Sequence, residues 1–223
     1  MYKKINLQKY KIIIFDCDGV LLNSNPIKTQ AFFEVAKVYG ISKAEKLRDY
    51  HIQNSGVSRI KKFEYFLEKI LNKPYNKKEI EDLLDHFAKE VKEKLFTCEL
   101  DESLLALKQA TSNIPWVIVS GGNQSELREV FAHRGIDSFF DKGIFGNPAS
   151  KVDIISNEKL SANEDYPILF IGDSKYDFEV SQKFHMDFIF VSHWTDLPNW
   201  FTFITREKIN SISCLADLLD YNN

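Results

Sequence analysis

The chain has 223 residues, of which 44% are hydrophobic, and a formal net charge of −3 at pH 7. These values predict a sizeable core in one large domain or in a domain with an insertion. The slightly acidic balance argues against nucleic acid, and no run approaches the roughly 18 apolar residues that indicate a membrane span. Three scattered cysteines predict neither a disulfide framework nor a zinc site. We therefore expect a cytoplasmic protein without a nucleic-acid or membrane partner.

The first predicted element is a short strand followed by two acids. The apolar run 12–15 precedes Asp16 and Asp18, and its β-rich composition indicates a strand buried on both faces of a parallel sheet. Residues i and i+2 of an extended chain point to one side, so both carboxylates would face one ligand, with Cys17 on the opposite side. Such a pair is costly unless a cation neutralises it or the acids react.

A helical segment follows. From Pro26 to about Phe96 the apolar residues recur at helical spacing, and no β-rich run interrupts them. We predict an all-helical cap domain over residues 22–96. Its loop 51–59 is rich in hydrogen-bond donors and ends in Arg59, which either binds an anionic group of a substrate or lies solvated at a helix start.

After Asp101 the character changes, because strands and helices alternate. The elements predicted there are strands at 116–119, 168–171 and 188–191, and helices at 102–110, 124–134, 176–184 and 213–219. Trp194 and Trp200 are expected in a late loop. Alternation implies βαβ crossovers. The predicted fold is an α/β, Rossmann-like, doubly wound parallel sheet, with a core of residues 1–21 and 97–223 around the inserted cap.

Polar residues follow the predicted strands. Open α/β sheets bind ligands at the carboxyl ends of their strands, and those ends carry Asp16-Cys17-Asp18-Gly19, Ser120-Gly121-Gly122-Asn123 and Gly172-Asp173-Ser174, with Asp177 and the turn 146–151 nearby. Carboxylates hold a hard cation such as Mg²⁺. Backbone N–H groups, the Ser120 hydroxyl and Lys151 would donate to phosphate oxygens. The set is suited to phosphoryl transfer.

These motifs resemble those of the haloacid dehalogenase superfamily of phosphohydrolases, in the subgroup with a helical cap after the first motif. The resemblance covers nearly the whole chain, in the order FDCDGV, IVSGG, Lys151 and IGDSKYD. GVSR in the cap and GNPASK before the last motif are similar to a branch of sugar-phosphatase-like and phosphoglycolate-phosphatase-like proteins.

The resemblance implies a role for each site residue. Asp16 would be the nucleophile that forms an aspartyl-phosphate, and Asp18 would protonate the leaving oxygen and later deprotonate water. An acid at position 18 also favours a phosphate ester over the substrates of dehalogenases and phosphonatases. Mg²⁺ would bind the Asp16 carboxylate, the Asp18 backbone carbonyl and Asp173. Asp177 would orient Lys151. The implied substrate contacts are Ser120, Lys151, Gly19, Gly121, Gly122 and Arg59.

Two departures and several alternatives accompany this interpretation. Asn23 and Asn25 stand where many capped relatives have Asp and Glu, and the glutamate that usually follows Arg59 in sugar-phosphate mutases is missing. The leading hypothesis is a Mg²⁺-dependent phosphatase for a small phosphorylated metabolite such as a sugar phosphate. A phosphomutase of the β-phosphoglucomutase type is the alternative. A phospho-aspartate receiver or binding module is disfavoured by the Asp16/Asp18 spacing and by the insert. Monomer and homodimer are both open.

Overall fold

A computed structural model describes residues 5–220. Its single sheet has six parallel strands in the order β3-β2-β1-β4-β5-β6. The strands are β1 (Ile12–Phe15), β2 (Trp116–Asn123), β3 (Ile144–Asn147), β4 (Ile168–Gly172), β5 (Asp187–Val191) and β6 (Asn210–Ile212). The predicted doubly wound parallel sheet is confirmed.

Strand β1 lies at the centre of this sheet and is fully covered. Ile13 and Phe15 belong to one apolar cluster, whereas Ile12 and Ile14 belong to the cluster on the other face. The alternation follows from the two-residue period of a strand. Polar residues directly after β1 therefore emerge between two strands at the middle of the sheet edge.

The segment between β1 and β2 is helical, as predicted. Its helices are α1 (Asn25–Ala36), α2 (Ile41–Gln53), α3 (Arg59–Tyr65) and α4 (Lys77–Thr97), and α3 continues into a π-helical turn, Phe66–Ile70. We call this segment the insert. Its two connections to the sheet lie side by side, because Leu22 bridges Leu100 and the Asp101 N–H donates to the Leu21 carbonyl at 3.0 Å. The division into two domains stays a prediction.

In the described part of the chain, residues 5–220, six more α-helices cover the sheet. The helices α5 (Leu104–Ala110), α6 (Gln124–His133) and α10 (Asp217–Asp220) contribute to the apolar cluster that contains Phe15, as the insert does. The helices α7 (Lys151–Asn157), α8 (Lys175–Lys183) and α9 (Trp200–Glu207) contribute to the opposite cluster. Within residues 5–220, no helix combines the length and hydrophobicity needed to cross a bilayer.

The structure corrects four assignments made from the sequence. Strand β2 runs to Asn123 with an irregular register, so the Ser-Gly-Gly segment is strand rather than loop. Strands β3 and β6 were not predicted, and β3 lies in a sequence with Gly143 before it and Pro148 after it that resembles a turn. Trp200 begins helix α9 instead of packing in a loop. The last helix, predicted over 213–219, is α-helical only from Asp217 and ends at Asp220.

Candidate active site

Three acids meet at the carboxyl edge of the central strands. Asp16 directly follows β1, Asp173 directly follows β4, and Asp177 lies in the first turn of α8. The two strands are neighbours in the sheet. One carboxylate oxygen from each acid lies within 4.8 Å of the others, and all three side chains are buried. The topology therefore concentrates negative charge away from water.

Lys151 is the cation that compensates this charge. It is fully buried at the start of α7, and its Nζ lies 2.8 Å from Asp16 Oδ1 and 2.5 Å from Asp177 Oδ1. The compensation is incomplete. Burial raises the pKa of Asp16 to about 7 against the pull of Lys151. Burial, together with the Asp16 charge, also raises the pKa of Asp173 well above its ordinary value.

The residues present fit a divalent cation. Asp16 Oδ1 is buried and makes no hydrogen bond with the described residues, although Lys151 Nζ lies 2.8 Å away. Gly19 adopts φ +75°, and a Cβ there would lie 2.2 Å from Asp173 Oδ2, so glycine leaves room around that oxygen. Unsatisfied carboxylate oxygens are the ligands that Mg²⁺ prefers. Asp16 and Asp173 would hold it.

Asp177 has partners that tie it to its own helix. Its carboxylate accepts the Ser174 backbone N–H at 3.2 Å and the Ser174 hydroxyl at 2.6 Å, and its own backbone N–H donates to Ser174 Oγ at 3.1 Å. The two bonds donated by backbone N–H groups form a capping box at the start of α8. The other carboxylate oxygen receives Lys151. The Asp177 carboxylate is thus held by three donors, and its contact with Lys151 is the one that the resemblance implies.

The Asp18 carboxylate is not part of this three-acid cluster and pairs with side chains of the insert. Lys28 Nζ lies 2.6 Å from Asp18 Oδ2, and the Ser24 hydroxyl donates to Oδ1 at 2.5 Å. Burial by itself raises the pKa of Asp18, but Lys28 and Ser24 outweigh it and hold the pKa below its ordinary value. Neither partner was predicted. The available signal is that Lys28 occupies the first turn of α1, where the helix dipole disfavours a cation.

The irregular end of β2 supplies hydroxyl and backbone groups. Ser120 is fully buried, and its Oγ accepts the Gly122 N–H at 3.0 Å, which leaves the hydroxyl proton free to donate to another acceptor. Gly121 contacts the insert closely, since a Cβ at this position would lie 2.6 Å from the Gly56 carbonyl oxygen. The Asn147 amide donates to the Gly121 carbonyl.

A cavity separates these groups from the insert. Its volume is about 40 Å³, which has room for about three water molecules. Among the predicted site residues, those that line it are Asp16, Asp18, Gly121, Gly122 and Arg59. The insert contributes aromatic and cationic side chains to the other wall: Lys28, Phe32, His51, Lys62 and Phe87.

Arg59 is buried and paired, which overturns the solvated alternative. Its guanidinium lies 2.5 Å from Glu126 in the first turn of α6 and 4.6 Å from the Phe87 ring centroid. Glu126 was not predicted, because no local pattern links a residue on α6 to one on α3. The substrate contact implied for Arg59 stays a prediction.

Lys62 and His51 form a second group that the sequence analysis missed. Lys62 Nζ lies 2.7 Å from His51 Nδ1, and both side chains are buried. Burial and neighbouring Lys28 lower the pKa of Lys62 to about 7. Burial and Lys62 lower the pKa of His51 well below its ordinary value. The signal is that Lys62 lies one helical turn before Phe66, which is a core residue.

Comparison with known proteins places this site in a family. Residues 13–191 match the model of the haloacid dehalogenase-like hydrolases. A phosphorylated carbohydrates phosphatase of Thermotoga maritima is 25% identical over 185 residues, which cover 77% of this chain and 80% of that protein.

Solved structures share the fold. A predicted phosphoglycolate phosphatase from Haemophilus somnus superposes with a TM-score of 0.71 at 18% identity, covering 98% of this chain and 100% of that one. A β-phosphoglucomutase from Clostridium difficile gives a TM-score of 0.68 at 18% identity, covering 96% and 97%. With the family model spanning most of its length, the chain belongs to the haloacid dehalogenase-like hydrolases.

Proposed function

We propose that this protein is a Mg²⁺-dependent phosphatase that hydrolyses a small phosphorylated metabolite through an aspartyl-phosphate on Asp16. The observation that carries the proposal is the position of Asp16. It is buried beside Lys151 and Asp173 and lines the same cavity as Asp18. A carboxylate held by a lysine, with a second carboxylate across a small cavity, is suited to covalent phosphoryl transfer.

In the first step, a carboxylate oxygen of Asp16 attacks phosphorus in line, and the bond to the ester oxygen breaks. Asp18 gives its proton to that leaving oxygen. Lys28 and Ser24 hold the Asp18 carboxylate in place by contacts of 2.6 and 2.5 Å. The negative charge of an arriving phosphate raises the proton affinity of Asp18, which favours the protonated form that the step requires.

In the second step, Asp18 takes a proton from water as that water attacks the phosphorus of the aspartyl-phosphate. The bond to Asp16 breaks, and inorganic phosphate leaves. The Ser120 hydroxyl, the Gly121 N–H and Lys151 would donate to the transferring oxygens. When bound by Asp16 and Asp173, Mg²⁺ supplies positive charge that offsets repulsion between the acids and the phosphate dianion.

Two observations support a small metabolite as the substrate. The cavity is small, at about 40 Å³, which suits a compact substrate. The relative from Thermotoga maritima is a phosphatase of phosphorylated carbohydrates. A phosphomutase would use the same nucleophile but return the phosphoryl group to substrate, so the products distinguish the two activities.

The test is release of inorganic phosphate from an aryl phosphate with and without Mg²⁺. We expect Asp16→Asn to abolish release, because the amide is not a nucleophile. Asp18→Asn should slow turnover and accumulate phosphorylated enzyme. Asp165→Asn is the matched control, since Asp165 is exposed in a loop. Release that survives in Asp16→Asn rejects the covalent route. Transfer of phosphate between positions of a sugar, without release, would indicate the mutase instead.

A further inference from the structure

On the insert side of the cavity, one buried cationic side chain has no carboxylate partner among residues 5–220. Three cationic side chains line that wall. Lys28 pairs with Asp18 and Arg59 pairs with Glu126. Lys62 is 3% exposed, and among residues 5–220 no carboxylate lies within 4 Å of its Nζ. Its close polar contact is the 2.7 Å one to His51 Nδ1.

A buried lysine without an acid is costly. Moving an ammonium out of water disfavours its charged form, and this burial is the main reason why the pKa of Lys62 is lowered to about 7. The ring of Phe32 lies 5.5 Å from Nζ and offers a weak cation–π contact. These surroundings do not offset the free-energy cost of removing the ammonium from water. An anion bound in the cavity would offset that cost.

His51 is arranged to help bind such an anion. When the Lys62 ammonium donates to Nδ1, the ring proton lies on Nε2, so the imidazole offers a second donor. The low pKa of His51, which follows from burial and from Lys62, keeps the ring neutral. His51 packs against Phe32 with ring centroids 4.5 Å apart, so its orientation is fixed. Both side chains line the cavity that Asp16 and Asp18 line.

We propose that Lys62 and His51 bind a second anionic group on the leaving group of the substrate. The inference rests on the proposed phosphatase function and names its substrate class. That class is a compact phosphate monoester whose alcohol portion carries a carboxylate or another phosphate. The small cavity places this group within a few bonds of the ester oxygen. An anionic group should bind here more tightly than a neutral sugar hydroxyl, because a hydrogen bond between two charged groups is stronger than one to a neutral group.

The test compares matched esters on the wild-type protein. The first pair is the phosphate ester of glycolic acid and that of glycolamide, which have the same shape but differ in charge. The second pair is a sugar bisphosphate and the corresponding monophosphate. We expect the charged member of one pair to have a kcat/KM at least about tenfold higher, mainly through KM. A preference for the charged ester in the first pair would indicate a site for a carboxylate. A preference in the second pair would indicate a site for a phosphate.

A variant series then assigns the preference to Lys62. Lys62→Met should abolish the ratio between charged and neutral esters, and Lys62→Arg should restore part of it. Lys69→Met is the control, because Lys69 is exposed on the π-helical turn that continues α3. Thermal melting verifies that each variant folds. If Lys62→Met does not fold, the wild-type ratios still decide.

Equal kcat/KM values within both pairs overturn the inference, as does a ratio that persists in Lys62→Met. Failure of the proposed function gives a different result, because the wild-type protein would then release no phosphate from the aryl ester or from either pair. An active phosphatase that treats acid and amide alike rejects the second-anion site alone.

Discussion

The ion pair between Arg59 and Glu126 gives a sharp prediction about how the insert docks on the sheet domain. Arg59 begins α3 in the insert, and Glu126 lies in the first turn of α6. Their side chains are only 8% and 12% exposed. Glu126→Gln leaves the guanidinium buried without a counter-charge. Removing one partner of a buried pair costs about 3 kcal/mol or more. For a chain of this length, that loss lowers Tm by about 6–12 °C.

The assay is thermal and urea unfolding of Glu126→Gln beside Glu129→Gln. Glu129 lies one turn later on α6 and pairs with Lys92 of the insert at 3.0 Å, but these side chains are 50% and 54% exposed. The control should melt with the wild type, because water screens an exposed pair. A double-mutant cycle with Arg59→Met measures the coupling directly. Equal melting of the two glutamine variants, or zero coupling, would refute the assignment of a buried ion pair.

Mg²⁺ should raise the Tm of the wild type and not of Asp173→Asn, because only a native site that binds the ion gains stability by mass action; an equal rise in both would contradict the proposed ligand. The depressed pKa of Lys62 means that the unfolded chain binds a proton that the folded chain lacks between pH 7 and 10.5. The free energy of unfolding should therefore rise with pH in that window, and Lys62→Met should remove that slope in pH-dependent urea titrations. Gly121→Ala should loosen the insert and speed limited proteolysis of the loop at Gly56, whereas Gly122→Ala, whose Cβ would meet Leu127 at 3.4 Å, should not.

The sheet could be predicted because its signals are local. The run 12–15 has no polar residue, and a strand covered on both faces requires this composition. The composition of strand β3 does not predict a strand, because Ile144 and Phe145 are its only apolar residues and Pro148 follows it. It forms because β2 offers a paired edge. Partner strands supply that information, and a local window does not contain it.

The acids of the site could be predicted for a related reason. Each follows a strand, and parallel strands deliver their carboxyl ends to one edge. The partners of those acids come from far along the chain or from another layer. Lys28 lies on α1 and reaches Asp18, and Glu126 lies on α6 and reaches Arg59. Such pairs depend on how the insert sits against the sheet, which hydrophobic spacing does not specify.

Asn25 shows how one departure from the family pattern fits this particular site. Its amide donates to Asp173 Oδ2 at 3.0 Å and to the Trp194 carbonyl at 2.9 Å. A glutamate there would place another buried carboxylate against a cluster in which the pKa of Asp173 is already raised well above its ordinary value. The amide supplies a donor and adds no charge, and it lowers the proton affinity of Asp173.

The charges of the sheet edge and of the insert are complementary, and this explains why the site needs both. The sheet edge presents Asp16, Asp18 and Asp173 with Lys151 as its buried cation. The insert brings cationic side chains to the other wall of the cavity. With the insert displaced, the acids would repel a phosphate dianion, and with it docked, its cations offset that repulsion. Substrate binding and docking of the insert should therefore be coupled. Because salt screens charges, a phosphate analogue should promote docking of the insert less effectively at high salt.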